Sequence, residues 1–336
     1  MSFVSIGDLS SSYRLRYLNS QLKGQSQRLS LELATGKTAD ISARTKGGLD
    51  RIADLERSLK MTGQYERNNS ELKAKGDFLQ MSLENIQTLT ATTAATAATA
   101  ASSRSAASIK SGSETALQAL NSTIGSLNQQ VAGQSLFAGN RAIGPAMAGA
   151  DKILGDLETL TLAATTADEI RAIVTDYFDS AGGGFETGVY LGSTKPTGPV
   201  SISDTESASY GITGADTGIR ETLKHLATAA LLGRGILGGD LLARVNLMES
   251  AASGLFGATD AITDIRATIG ATEARIETVA TVNGARKTSF QMMLNDAVSV
   301  DGYETATGLQ AVENQLEALY LSTSRLSQLS LTRYLR

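Results

Sequence analysis

The 336-residue chain has no cysteine and no tryptophan, a single histidine (His225) and three prolines. Without cysteine, disulfides cannot staple the fold, and zinc or iron–sulfur sites lack their usual thiolate ligands. One histidine excludes a multi-histidine metal site. Aromatics are only 5% of the residues, so a core must be built from Ala, Leu, Ile and Val, which suits closely packed helices in thin layers. The net charge of −4 gives no basic footprint for nucleic acid. The longest apolar run, near Leu226 to Leu232, is far short of the roughly 20 residues that a membrane-spanning helix needs. Met1 to Ser12 has neither a basic n-region nor an apolar core, so a cleaved secretory signal is not expected. An export route without cleavage would leave no such mark.

What is present is helical periodicity at both ends. Between Tyr303 and Arg336, Leu309, Val312, Leu316, Leu319 and Leu326 fall at steps of three and four, with Thr323 in the open place. No proline interrupts the stretch, and such a helix would reach roughly 50 Å. Leu15, Leu18, Leu22 and Leu29 repeat the spacing near the other end. Neither seam can be satisfied alone. The expectation is a hairpin-like chain whose two ends pair, with Leu15, Leu18, Leu22, Leu29, Leu309, Val312, Leu316, Leu319 and Leu326 forming an assembly seam.

All three prolines, Pro145, Pro196 and Pro199, lie in the middle, which predicts long helices on both flanks and turns in the centre. The first helix should run from about Ser10 to Ala34 and stop where Gly36 can take a left-handed C′ position. After an irregular stretch through Asp40 to Gly48, helix resumes near Leu49 and carries Tyr65, Leu72, Leu79 and Ile86 one heptad apart, with a bend expected at Gly63 or Gly76. The Ala/Thr-rich stretch Thr90 to Ala101 has no charge and reads as a buried helix end. Glu114 to Arg141, uncharged between its ends, reads as the next helix. In the centre, Ile153 to Tyr177 has helical pattern, Gly182 to Gly184 breaks it, and Val189 to Leu191, Pro199 to Ser203 and Ser207 to Thr213 alternate like short antiparallel strands. Thr217 to Leu232 returns to helix. From Leu241 on, Ile262, Ile265, Ile269, Thr272, Ile276 and Val279 make a seam that continues in register through Asn283, Arg286, Phe290 and Met293. Asn283 would fix its register. The fold class is therefore mainly α: long paired N- and C-terminal helices in an antiparallel coiled-coil or helical bundle, with a small α+β central insertion. The expected domains are 1–44 (N-terminal helix), 45–144 (helical hairpin), 145–251 (insertion), 252–302 (returning helix) and 303–336 (C-terminal helix).

Signals for chemistry are thin. Gly233 to Gly238 matches G-x-G-x-x-G, but that motif holds a dinucleotide only when a strand precedes it, and helix does here. Asp260 and Asp264 lie one helical turn apart without an accompanying His or second acid pair. Asn295, Asp296, Asp301 and Gly302 lack the ligand spacing of a calcium loop and read as a polar hinge. His225 reads as a helix-surface or core-edge residue. No nucleophile–base pair is visible, and neither an enzyme nor a cofactor is expected.

Three stretches give the chain a likeness. Arg28-Leu29-Ser30-Leu31-Glu32-Leu33-Ala34-Thr35-Gly36-Lys37 resembles the N-terminal leucine helix of the flagellin family and its closing turn. Gln134-Ser135-Leu136-Phe137-Ala138-Gly139-Asn140 is similar to the aromatic-Ala-Gly segment of that family's hook–filament junction branch. Tyr303 to Arg336 resembles its C-terminal helix. Filament flagellins carry an Asp-Asp-Ala-Ala-Gly run after the first helix, where this chain has Asp40-Ile41-Ser42-Ala43-Arg44. That departure favours the junction branch over a filament subunit, the nearest alternative. A cytoplasmic signalling coiled coil is disfavoured by the proline-bearing insertion. The resemblance implies a structural protein of the bacterial flagellum, secreted unfolded by type III export without signal cleavage. It also implies assembly outside the cell through the terminal helices, into a ring between another hook-associated protein and flagellin. An export chaperone would be a partner; nucleic acid and small-molecule substrates would not.

Overall fold

A computed structural model describes residues 6–44, 49–141 and 143–334, with side chains described for 10–42, 49–141 and 143–325. Nine α-helices dominate these residues. They are α1 (Ile6–Thr35), α2 (Ile41–Arg44), α3 (Leu49–Ser103), α4 (Ala106–Leu127), α5 (Ala150–Thr161), α6 (Ala167–Asp179), α7 (Thr217–Leu231), α8 (Leu241–Val298) and α9 (Gly302–Tyr334). The described residues also form two small antiparallel ladders, β1 (Gln130–Val131) with β2 (Gln134–Ser135) and β3 (Val200–Ser201) with β4 (Ser207–Ala208). The fold is mainly α with a small α+β insertion. The chain divides into two units, residues 1–63 with 285–336, and residues 64–284.

The 64–284 unit holds the hydrophobic core, a single cluster running from Leu72 to Val279. Its centre is α7, which packs against α4, α5 and α6 and buries Ile219, Leu223, Leu226, Ala227, Ala229, Ala230 and Leu231. The uncharged tract of α3 is helical to Ser103, with Thr90, Ala94 and Ala97 fully buried. Small side chains let helix backbones approach closely there. Tyr65, Leu72, Leu79 and Ile86 are all buried, as their heptad spacing predicts.

α3 runs through Gly63 and Gly76 as the one long helix expected, and Gly76 serves close packing: a Cβ there would lie 2.3 Å from the Tyr210 hydroxyl. Several other sequence expectations are corrected. α4 ends at Leu127, because Ala132 and Gly133, both at positive φ, turn the β1–β2 hairpin that follows. Ile153 to Tyr177 is two helices. Leu162 to Thr166 separates them, and a capping box starts α6, with the Thr166 hydroxyl accepting from Glu169 N and the Glu169 carboxylate accepting from Thr166 N. Val189 ends a π-helical turn, Phe185–Val189, in place of a strand, and Tyr190 makes only an isolated bridge with Met147. Along the α8 seam Ile262, Ile269, Ile276, Val279 and Asn283 are buried and Ile265 and Thr272 half-buried, but Arg286 and Met293 beyond it are exposed and Phe290 is half-buried. The irregular stretch after Asp40 contains the one-turn helix α2.

One ionic cluster ties α6 to α7. The Lys224 ammonium, almost buried, donates to Asp179 Oδ2 at 2.8 Å and Glu221 Oε1 at 2.6 Å, and Arg220 Nε lies 3.6 Å from Asp179 Oδ1. His225 Nε2 sits 3.2 Å from Glu221 Oε2, and its ring lies flat over Gly254 of α8, where a Cβ would be 2.2 Å away. Burial holds the imidazole below its ordinary pKa, against the pull of Glu221. The unfolded chain then binds the proton more readily than the folded one, so stability falls as pH drops below about 6.5. His225→Gln is expected to flatten that slope, which urea midpoints at pH 7 and pH 5 would show.

Candidate assembly interface

α1 and α9 pack side by side, and both carry the spacing that predicted a pair. They run antiparallel: Leu29 lies opposite Gly308, and Lys23 sits 5.9 Å from the centroid of the Tyr320 ring. Lys23 and Asn19 hydrogen-bond the Tyr320 hydroxyl and lower its pKa. The inward line of α1 is Leu15, Asn19, Leu22, Ser26 and Leu29, all half-buried. On α9 it is Thr305, Leu309, Val312, Leu316, Leu319 and Thr323, of which Thr305 and Val312 are fully buried. Leu18 does not lie on it. The line passes through Asn19 instead, and Leu18 is left 39% exposed. The side chain of Leu326 lies outside the described residues.

The turns closing the pair are built from backbone. Gly36 adopts φ +67 at the end of α1, as its position predicts, and its N–H donates to Glu32 O at 2.8 Å. A short ladder follows, with Thr38 N donating to Val298 O at 2.8 Å and Val300 N to Gly36 O at 3.1 Å. Asp301 caps α9, its Oδ1 accepting from Tyr303 N and Glu304 N at 2.8 and 3.1 Å. The polar stretch read as a hinge is thus, at Asp301, a helix cap.

Glu32 is the residue that sequence reasoning missed. It is buried, and its Oε1 accepts from Ala39 N at 2.9 Å and Thr38 Oγ1 at 3.3 Å, holding the chain as it leaves α1. The available signal was its place: a carboxylate in the last turn opposes the helix dipole and calls for a local donor.

This unit has almost no interior. Among its described residues only Ile52, Leu55 and Val312 are buried hydrophobics, while twelve large apolar side chains are exposed. Tyr13, Tyr17 and Leu31 fall on one face of α1, opposite the line that meets α9. Tyr303 and Leu321, five turns apart, share the outer face of α9. A pair with apolar residues inside and outside has more surface to bury than it can bury by itself.

The other flagged positions show no convergence. Gly233 to Gly238 is the turn after α7, with Gly235 at φ +90, and no strand delivers it. Asp260 and Asp264 are exposed on α8. No group of three or more His, Cys, Asp or Glu among the described residues could hold a metal ion, and no described helix is long and apolar enough to cross a membrane.

No protein-family model matches the sequence, and no curated protein sequence does. Solved structures to which the chain is similar include Bacillus cereus FlgL, with 13% identity and a TM-score of 0.47 over 73% of this chain and 99% of that one. A putative flagellar hook-associated protein from Vibrio parahaemolyticus gives 14% identity and a TM-score of 0.47, covering 73% and 95%. At those values neither assigns a role to this chain.

Proposed function

We propose that the chain is a structural subunit of the bacterial flagellum, placed between the hook and the flagellin filament. One observation carries the assembly role: among its described residues the α1–α9 unit buries three hydrophobic side chains and exposes twelve large ones. Such a unit gains its interior from neighbours, which means copies of itself in a ring and the axial proteins on either side. The flagellar placement rests on the sequence resemblance of Arg28 to Lys37, Gln134 to Asn140 and Tyr303 to Arg336. The proposed seam is Leu15, Leu18, Leu22, Leu29, Leu309, Val312, Leu316, Leu319 and Leu326, of which Leu18 is 39% exposed in the single chain. In this reading the protein performs no covalent chemistry. It leaves the cell unfolded through the flagellar export apparatus, held by a chaperone beforehand, and orders its ends on assembly.

Electron microscopy of flagella from a strain lacking the gene, with the medium assayed for flagellin, tests the placement. Hooks without filaments and flagellin lost to the medium are expected. Normal filaments would overturn it.

A further inference from the structure

The α3–α8 pair has an odd inner face at one end of the 64–284 unit. Asn69 and Asn283 are buried there at 3% and 1% exposure, at positions where a helix seam would place aliphatics. A buried amide costs several kcal/mol unless it finds a partner. The partner comes from neither helix. It is the carbonyl of Ile202, which accepts from Asn283 Nδ2 at 2.7 Å and is approached by Asn69 Nδ2 at 3.5 Å.

Ile202 belongs to the segment Pro196 to Tyr210, a small self-supporting hairpin. Val200 pairs with Ala208 and Ser201 with Ser207, Ile202 N donates to Glu206 O at 2.9 Å, and Ser203 Oγ accepts from Glu206 N at 3.1 Å. Both helices grip it. From α3, Asn68 Nδ2 donates to Ser201 O at 2.8 Å, the Tyr65 hydroxyl hydrogen-bonds Asp204, and Lys75 Nζ donates to Thr197 Oγ1 at 3.4 Å. From α8, Arg275 donates to Ser207 O at 2.6 Å. Ile202 is itself fully buried, and Tyr210 is buried over Gly76. Three of the gripped atoms are backbone carbonyls, so the hold depends on the hairpin's shape more than on its side chains.

We propose that Pro196 to Tyr210 is a strap that fastens α3 to α8 where their shared core ends, so that fraying of the helices from the coreless side stops at Tyr65 and Asn283. Both helices continue unbroken past the strap, to Leu49 and Val298, where among the described residues Ile52 and Leu55 are the only buried hydrophobics of the two helices and neither belongs to the core cluster. An α-helix transmits unwinding along its length unless a tertiary contact arrests it. The strap is such a contact, and the paired asparagines make it specific. Asn283 would lose its 2.7 Å bond without it and Asn69 its longer one, Asn69 Oδ1 having no partner even with the strap in place. The inference concerns stability within one chain and stands whether or not the chain is flagellar.

Hydrogen exchange of the full chain at neutral pH, read by mass spectrometry, tests it with two variants. Asn283→Ala removes the central donor, and Asn68→Ala with Arg275→Ala removes two exposed grips without touching the core. In each, amides of 65–76 and 273–283 are expected to exchange at least tenfold faster, while those of α7 stay as in the parent. Unchanged exchange in both windows would overturn the strap, as would acceleration extending through α7 in both variants. Should Asn283→Ala fail to fold, the double variant decides.

Discussion

A Val312→Asp chain is expected to keep its 64–284 unit and lose the α1–α9 pair. Val312 is the one fully buried aliphatic on the α9 line, at 4% exposure. Truncating such a residue removes about 1.5–3 kcal/mol of burial, and a carboxylate in its place adds the cost of a charge without a partner. The pair has little to set against that, since its other inward aliphatics are only half-buried and Asn19, Ser26 and Thr323 share the seam. Circular dichroism should show a loss of helix with no change in the melting of the 64–284 unit. If the proposed function holds, a strain carrying only this variant forms hooks without filaments. Retained α1–α9 pairing by hydrogen exchange would refute the structural half of the prediction, and normal filaments the functional half.

Gly139→Ala should strike the other unit. Gly139 has φ +63, a conformation L-residues adopt at a cost of about 1 kcal/mol or more. Its missing Cβ would also lie 2.2 Å from Ser193 O and 2.5 Å from Lys195 O. Those are backbone atoms and cannot rotate away. They are held in turn, because Ser193 N donates to Ala138 O and Asn140 N to Lys195 O, both at 2.9 Å. The neighbouring Phe137 carbonyl accepts from Gly214 N at 2.7 Å and from the Tyr190 hydroxyl at 3.2 Å, so a shift at Gly139 strains several segments together. A loss of about 3 kcal/mol is expected, the upper range for overpacking, which for a unit of this size is about 6–12 °C in Tm. Gly144→Ala is the control: Gly144 also has positive φ, but its Cβ would meet nothing within 4 Å. A melting point within about 2 °C of the parent for Gly139→Ala would show that the 193–195 segment yields.

Periodicity carried most of the fold because the long helices bury one face each. Tyr65, Leu72, Leu79 and Ile86 are spaced for that purpose, and each is buried. Gly36 was legible for a different reason, since a left-handed helix end admits few other residues. The failures lie where tertiary contacts override spacing. Leu18 and Asn19 are both compatible with a three-four pattern, and within the single chain it is Asn19 that α9 half-buries. Asn283 sits on a seam by spacing, yet it answers to a carbonyl more than 80 residues away in sequence. The Ile202 carbonyl could not be found from patterns of side-chain polarity, because what it supplies is backbone, and Glu32 was marked only by its place in the last turn of α1. The candidate site was legible as a helix pair and illegible as a surface: nothing in the spacing of Tyr13, Tyr17 and Leu31 says that α9 leaves them uncovered.

The backbone ladder joining Lys37 to Ser299 links residues about 260 apart in sequence. Closing a flexible loop that long costs roughly 5 kcal/mol of chain entropy, on top of the cost of ordering α1 and α9 themselves. Once residues 64–284 have folded, Asn69 and Asn283 share one carbonyl, and most of that loop no longer contributes freedom to lose. Folding therefore has an order written into its topology. The middle of the chain forms first, and its two ends are the last parts to meet.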